Sequence, residues 1–422
     1  MSGFRQIKLS KLVFFLANLA FYLVVAFVVL LQAQGYRFDW QAKSFEATSS
    51  LILSFQPESA QVWLDGVLKG AGPLTLHKLR AGLHAVTVTA PNYHVWQKTV
   101  YLTAGMVASL DDIILVPQDI PHKLVMEGLK NIKTNPRSKY GFVKDGEQWL
   151  LVDLGDEEMK PRQFSKVPIK ELEELSWSPL GSRVLLKGKD AAGQTHLQLI
   201  SLVSLQSTVL PELRFWRQLS WLGENSFLGL DDGAVYLYDL ATKKQKQLAD
   251  KVEQFAWANA QLYLLNKEGL WRRNLTNARL QAVDKPSFAI SELIAQADWL
   301  VLASPKSEQK LILAASGEQW QLAAEKFLVR NATELFLADQ GEILRLDQGK
   351  KQPEFLTRFS KPIQGLALLP TGMLAVLAGD NVYLLNPKHG DSYFVATCQE
   401  QLNFWQNLLY CQQGEKLYRL EL

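Results

Sequence analysis

The residues with the most binding capacity outside an obvious core pattern are Arg214-Phe215-Trp216-Arg217, two aromatic rings flanked by guanidinium groups. Aromatic faces stack on sugars or cations, and guanidinium forks grip carboxylates through paired hydrogen bonds. The same four residues also suit packing, with the rings buried and the arginines reaching water, and both readings stand. Catalytic signatures are missing: there is no Gly-x-Ser-x-Gly elbow, no Gly-x-x-x-x-Gly-Lys-Ser/Thr loop, no His-Glu-x-x-His and no dinucleotide fingerprint. His77, His84, His94, His122, His196 and His389 form no ligand-spaced cluster with the two cysteines, so neither metal nor cofactor is expected. Paired carboxylates are the remaining catalytic alternative, since Asp and Glu are abundant.

The cysteines, Cys398 and Cys411, flank a hairpin-like stretch whose midpoint lies near Phe404 and Trp405. In an antiparallel pair turning there, the two would sit opposite or beside each other. Either they form a disulfide or they are buried thiols acting as small apolar groups.

These residues need elements to hold them, and the chain supplies three kinds. From Leu12 to Leu31 run twenty residues without charge, with Asn18 as the one strongly polar group. At about 1.5 Å per residue such a helix spans roughly the 30 Å hydrocarbon core of a bilayer. Arg5, Lys8 and Lys11 precede it with no acid, which predicts residues 1–11 in the cytoplasm, an uncleaved signal anchor over 12–31, and all that follows outside. A cleaved signal peptide is the other reading. Beyond the anchor, 42 basic residues meet 42 acidic ones, so the body is formally neutral. That balance argues against nucleic acid as a partner, which would call for a net basic surface.

The longest part, 122–422, is governed by a repeat. Glycine turns stand at Gly146, Gly193, Gly233, Gly269, Gly341, Gly379 and Gly414, spaced 47, 40, 36, 72, 38 and 35 residues, and six of them adjoin an acid. The double-length gap halves at Ser304-Pro305-Lys306-Ser307-Glu308, a turn without its glycine. A period of this length, holding several short apolar runs, predicts an all-β propeller of eight four-stranded blades, with seven as the alternative. The last unit offers three strands, and His122-Lys123-Leu124-Val125-Met126 is an orphan strand that would close the ring on Leu417 to Leu420. One unit carries Ser176-Trp177-Ser178-Pro179-Leu180-Gly181-Ser182, and weaker echoes occur at Leu219-Ser220-Trp221 and Phe255-Ala256-Trp257. It resembles the TolB-type, WD-like propeller repeat, with Leu180 where that family has Asp. On this frame Arg214 to Arg217 fall in the loop leading into the third blade.

Between helix and propeller, residues 32–48 read as a juxtamembrane linker in which Tyr36 and Trp40 suit a membrane interface. Short alternating strands with turn residues between them fill 49–116 and predict a small β-sandwich. Pro57-Glu58-Ser59-Ala60, Val62-Trp63-Leu64-Asp65-Gly66, Gly72-Pro73, the step from Leu79 to His84, and Asn92-Tyr93 follow in order. This segment resembles the PEGA domain, with Ser59 in place of the glycine of that motif. The resemblance implies a surface-exposed, noncatalytic module of prokaryotic envelope proteins, and its matched residues are mainly turn formers. Residues 117–121, bracketed by prolines, read as a linker.

Together these features predict a single-pass protein of a prokaryotic cell membrane that presents a sandwich and a propeller outside. Its expected work is that of a noncatalytic scaffold or receptor for an envelope protein or glycan. The alternative is a glycan- or peptide-processing enzyme with its site in the propeller channel. A sensor is disfavoured, as only eleven residues precede the span.

Overall fold

The computed structural model describes residues 9–33, 36–39, 44–164, 169–275, 279–283, 288–304, 309–399, 402–406 and 408–421. Arg5, Lys8, Trp40 and the turn expected at Pro305 to Glu308 lie outside them. The chain divides into two compact units, Met1–Asp119 and Ile120–Leu422.

The first unit opens with a helix, Leu9–Ala33, slightly longer than the apolar run that dictates it. Its span Val13–Leu31 is not packed against the rest of the protein. Asn18 Nδ2 donates to Phe14 O at 2.9 Å, so the one strongly polar side chain is satisfied within the helix, as an apolar surrounding requires. A two-stranded hairpin follows, Tyr36–Asp39 against Ser44–Ala47, with Phe38 and Phe45 edge to face at 5.1 Å.

The sandwich then forms from two sheets. One orders Leu74–Leu79, Ser49–Gln56 and Val107–Ile114; the other orders Val67–Ala71, Gln61–Leu64, Gly82–Thr89 and Trp96–Leu102. Strand alternation sends Leu51, Leu53, Phe55, Val62, Val86, Val88 and Trp96 into the shared core. Asp65 and Gly66 both have positive φ, 52° and 76°, the geometry that an Asp-Gly hairpin turn supplies.

The second unit is a ring of eight sheets, as the repeat requires. Among the described residues blade 1 shows three strands, Leu129–Lys133, Tyr140–Asp145 and Gln148–Asp153, with Arg162 bridging Leu151 at its outer side. Blades 2 to 7 each have four, with inner strands Glu171–Trp177, Arg217–Gly223, Gln254–Ala258, Glu292–Gln296, Lys326–Val329 and Ile363–Leu368. Blade 8 takes Leu402–Trp405, Leu408–Gln413 and Lys416–Glu421 from the end of the domain and His122–Glu127 from its start. The closing pairs are His122 with Leu420, Lys123 with Arg419, and Leu124 with Tyr418. All seven repeat glycines fall in the turn between a blade's second and third strands; in blade 5 those strands are Trp299–Ala303 and Gln309–Ala314, and the expected glycine-free turn is outside the described residues. Gly341 shows one reason for the residue type: a Cβ there would stand 2.4 Å from the Phe359 carbonyl oxygen.

Apolar clusters hold the blades together pairwise. Phe142 and Trp149 of blade 1 pack with Val184 and Ile200 of blade 2, similar clusters join each following pair to blade 7, and Tyr410 and Leu417 of blade 8 pack against Ile132 and Val143 of blade 1. Between blades 7 and 8, Cys398 and Cys411 are joined in a disulfide with Cα atoms 5.5 Å apart. The mirror register expected about Phe404 and Trp405 is corrected. Cys411 pairs with Leu402, and Cys398 lies in the connection before that strand, so the bond links the exit of blade 7 to the second strand of blade 8.

Candidate functional site

In a blade of four antiparallel strands, the turn after the second strand and the loop after the fourth leave from the same edge. One propeller face therefore carries the glycine turns together with the loops that lead into each inner strand. The segment Arg214 to Arg217 lies on this face, after a short 3-10 turn Pro211–Leu213 that follows blade 2.

The structure separates these four residues. Trp216 is 1% exposed and sits in the junction between blades 2 and 3, in contact with Phe227, Tyr236 and Tyr238. Its assignment as a ligand-binding surface residue is corrected: the ring is core, because the loop turns it onto blade 3 at Gly229, which has no side chain to obstruct it. Phe215 points the other way and is 67% exposed, with the Arg214 guanidinium 4.6 Å from its ring centroid. Arg217 is exposed at the start of the inner strand. The outward group is thus Arg214, Phe215 and Arg217.

Toward the axis, a feature appears that the sequence reading missed. Glu174-Leu175-Ser176-Trp177, Gln218-Leu219-Ser220-Trp221 and Gln254-Phe255-Ala256-Trp257 form a repeat in which Glu or Gln stands three residues before Trp. Each polar side chain bonds to the next blade. Leu219 N donates to Glu174 Oε1 at 2.6 Å, Phe255 N donates to Gln218 Oε1 at 3.3 Å, and Gln254 Nε2 donates to Ser291 O at 2.8 Å. The Trp at the far end adds a bond in the opposite sense, Trp221 Nε1 to Ser176 O at 2.9 Å. Blades 2 to 5 are therefore stitched along their inner edges by a recurring polar position. The common Trp was visible in the sequence, and the Glu or Gln before it was the overlooked signal.

Beside this row lies a cavity of about 300 Å3 at the inner edges of blades 3, 4 and 5, where Gln218, Gln254, Trp257 and Glu292 meet. Glu173 is left unpaired in the ladder by a bulge between Leu172 and Glu174, the kind of irregularity that re-aims a side chain. It forms ion pairs with Lys189 at 3.2 Å and Lys187 at 3.7 Å, and Glu171 reaches Lys189 at 3.8 Å. Burial pushes the Glu174 carboxyl above the usual carboxylate range, against the opposing pull of the Leu219 N–H and Lys187. Among the described residues no group of His, Cys, Asp and Glu is arranged to hold a metal ion.

That raised value fixes a pH dependence. The neutral form of Glu174 is favoured by folding, so its contribution is complete below the ordinary Glu pKa and is lost as pH rises through the higher folded value. Glu174→Gln keeps the acceptor for Leu219 N and matches the other two repeats. The variant is expected to lose this downward slope in melting temperature as pH rises above the ordinary Glu range and to match or exceed the parent at the upper end. Calorimetry across that rise in pH checks it, and an unchanged slope would show that Glu174 is not its source.

With the geometry in hand, the chain can be placed among known proteins. Residues 48–113 match the PEGA domain, which agrees with the sandwich at Ser49–Ile114 and its turn-forming residues. No curated protein matches the chain. Its backbone is similar to the Dos1 propeller, with 10% identity, 71% of this chain and 94% of that one covered, and a TM-score of 0.48. It is also similar to Porphyromonas gingivalis dipeptidyl peptidase 4, with 10% identity, coverage of 69% and 57%, and a TM-score of 0.48. PorZ, a surface component of the type-IX secretion system of the same bacterium, gives 14% identity, coverage of 69% and 42%, and a TM-score of 0.43. The chain thus spans less than half of PorZ and little more than half of the peptidase.

Proposed function

We propose that this is a membrane-anchored, noncatalytic component of a prokaryotic cell envelope, holding a protein or glycan partner on the propeller face that bears the Arg214 loop. The apolar helix and the PEGA domain mark a membrane-anchored or secreted protein. The finer reading, an uncleaved anchor with the body outside, rests on the length of the apolar run and on the three basic residues before it.

The observation that carries the binding role is the outward group. Phe215 stands exposed between two arginines, while its neighbour Trp216 is locked into the junction beneath. A rigidly based aromatic with flanking guanidinium groups suits a binding hot spot, since such residues dominate interface energies. The carboxylates at the inner edge of blade 2 support a structural rather than a catalytic assignment, because Glu171 and Glu173 pair with lysines and Glu174 with a backbone N–H. The enzyme alternative has one observation in its favour, the raised pKa of Glu174, a property shared with general acids.

Replacing Phe215 and Arg217 by alanine is expected to weaken capture of the native crosslinked partner by about 2 kcal/mol or more, roughly thirtyfold, with the melting temperature nearly unchanged. Undiminished capture would remove this face from the proposal. Turnover of an envelope glycan or peptide that is lost in Glu174→Gln would establish the enzyme reading instead.

A further inference from the structure

We propose that one end of the PEGA sandwich is a lipid-binding surface that docks on the bilayer beside the anchor helix and prefers anionic headgroups. This rests on the helix being a retained membrane span.

Chain geometry brings that end to the membrane. In the hairpin after the helix, Tyr36 pairs with Ala47, so the strand that leaves the helix is answered by one that returns. Tyr36 stands three positions beyond Ala33, and Ser49, where the sandwich begins, two beyond Ala47. Ser49 therefore lies within roughly 20 Å of the helix end. The turn at Thr103 to Val107 is tied to this point: Gly105 N donates to Thr48 O at 3.0 Å, Ser50 N to Met106 O at 3.1 Å, and Ser49 Oγ to Thr103 O at 2.7 Å. Leu79 pairs with Ser49, which places the next turn, Arg80-Ala81, at the same end.

What this end displays fits a membrane interface. Met106 and Val107 are 63% and 64% exposed, and Leu83 and Tyr101, direct partners across two strands, are 72% and 67% exposed. Lys78, near the end of the strand Leu74–Leu79, and Arg80, in the turn that follows, are exposed at the same end. The nearby carboxylate of Asp65 is engaged by His84 Nδ1 at 2.6 Å, and Glu46 stands opposite Arg37 in the hairpin that leads to the tip. The other acidic groups of the sandwich lie away from this end. Glu58 is in the turn after Gln56, while Asp111 and Asp112 lie beyond Leu110, which pairs with Leu53 midway along the strand. Large apolar side chains, a tyrosine and two bases on one tip make the pattern of a peripheral lipid contact. A water-facing tip has no physical need for four exposed apolar side chains in one place.

The test uses the full chain in phosphatidylcholine vesicles, with or without phosphatidylglycerol, and single environment-sensitive labels at Met106→Cys, Glu58→Cys and Phe21→Cys. The native cysteines are occupied by their disulfide. Spin-labelled lipid is expected to quench the Met106 label at least about threefold more than the Glu58 label, and the Phe21 label most. In anionic vesicles, Lys78→Gln with Arg80→Gln is expected to lower the ratio of docked to undocked protein by about fivefold per base removed. A quenched Phe21 label with Met106 no more quenched than Glu58 would overturn the docking and leave the anchor intact. No quenching at Phe21 would overturn the anchor, and the docking with it. A Met106 label unquenched by lipid, with the unlabelled Met106→Cys thiol shielded from aqueous maleimide in detergent, would assign the tip to a protein partner and overturn the lipid assignment.

Discussion

A chain in which residues 122–127 are replaced by an equal length of Gly and Ser will lose roughly 4 kcal/mol or more of propeller stability, a fall of about 6 °C or more in melting temperature. His122–Glu127 is the fourth strand of blade 8, and it pairs with Lys416–Glu421 at the far end of the domain. Without it that strand becomes an open edge, and the ladder bonds from Leu417 to Leu420 face water. Apolar contacts go as well, since Val125 and Met126 pack against the cluster that contains Ile132, Val143, Tyr410 and Leu417. The loss exceeds that of a local surface change because the two paired strands come from opposite ends of the domain, and their pairing closes the ring. Keeping the segment's length separates pairing from the connection to the first unit. Denaturant titration gives the size of the effect, and size-exclusion chromatography is expected to show association through the exposed edge. An unaltered melting temperature would show that the ring is held shut without this strand.

The ring itself was legible because a blade is a local object. Its strands follow one another, so the glycine turns mark the same hairpin in seven of the eight blades. Closure could be read for the same reason: an orphan strand and an incomplete last unit leave few arrangements. The inner-edge stitching was harder, since Glu174, Gln218 and Gln254 act on residues about forty positions away in the next blade. Nothing in the immediate neighbourhood of each residue specifies that partner. The cysteine register failed where regular structure stops, because Cys398 belongs to an irregular connection and not to the hairpin inferred from symmetry. For Arg214 to Arg217, residue types showed what the segment could do, whereas the direction of each side chain depended on the fold of blade 3. Phe215 and Trp216 are adjacent and chemically alike, yet one is exposed and the other is core.

That contrast yields the second large effect. Trp216→Ala is expected to cost about 3 to 5 kcal/mol, because a large side chain with rings of Phe227, Tyr236 and Tyr238 around it leaves a cavity at the junction of blades 2 and 3. Gly229→Ala will be destabilising for the complementary reason: its new Cβ would stand 2.1 Å from a carbon of the Trp216 ring, which must be pushed out of place. The two changes meet at one contact, so they will not add. With Trp216 already truncated, the methyl at residue 229 enters vacated space, and the double variant should be more stable than the sum of the single losses predicts, by about 1 to 3 kcal/mol. Denaturant titrations of the four proteins measure this coupling. Strict additivity would mean that the ring does not rest on Gly229. Partner capture supplies a further distinction, because Trp216 reaches the outer face only by supporting the loop that carries Phe215. Capture by Trp216→Ala should therefore recover toward the parent level at temperatures well below its own melting point, while Phe215→Ala stays deficient at every temperature. If both lose capture equally in the cold, Trp216 has a direct part in binding despite its burial.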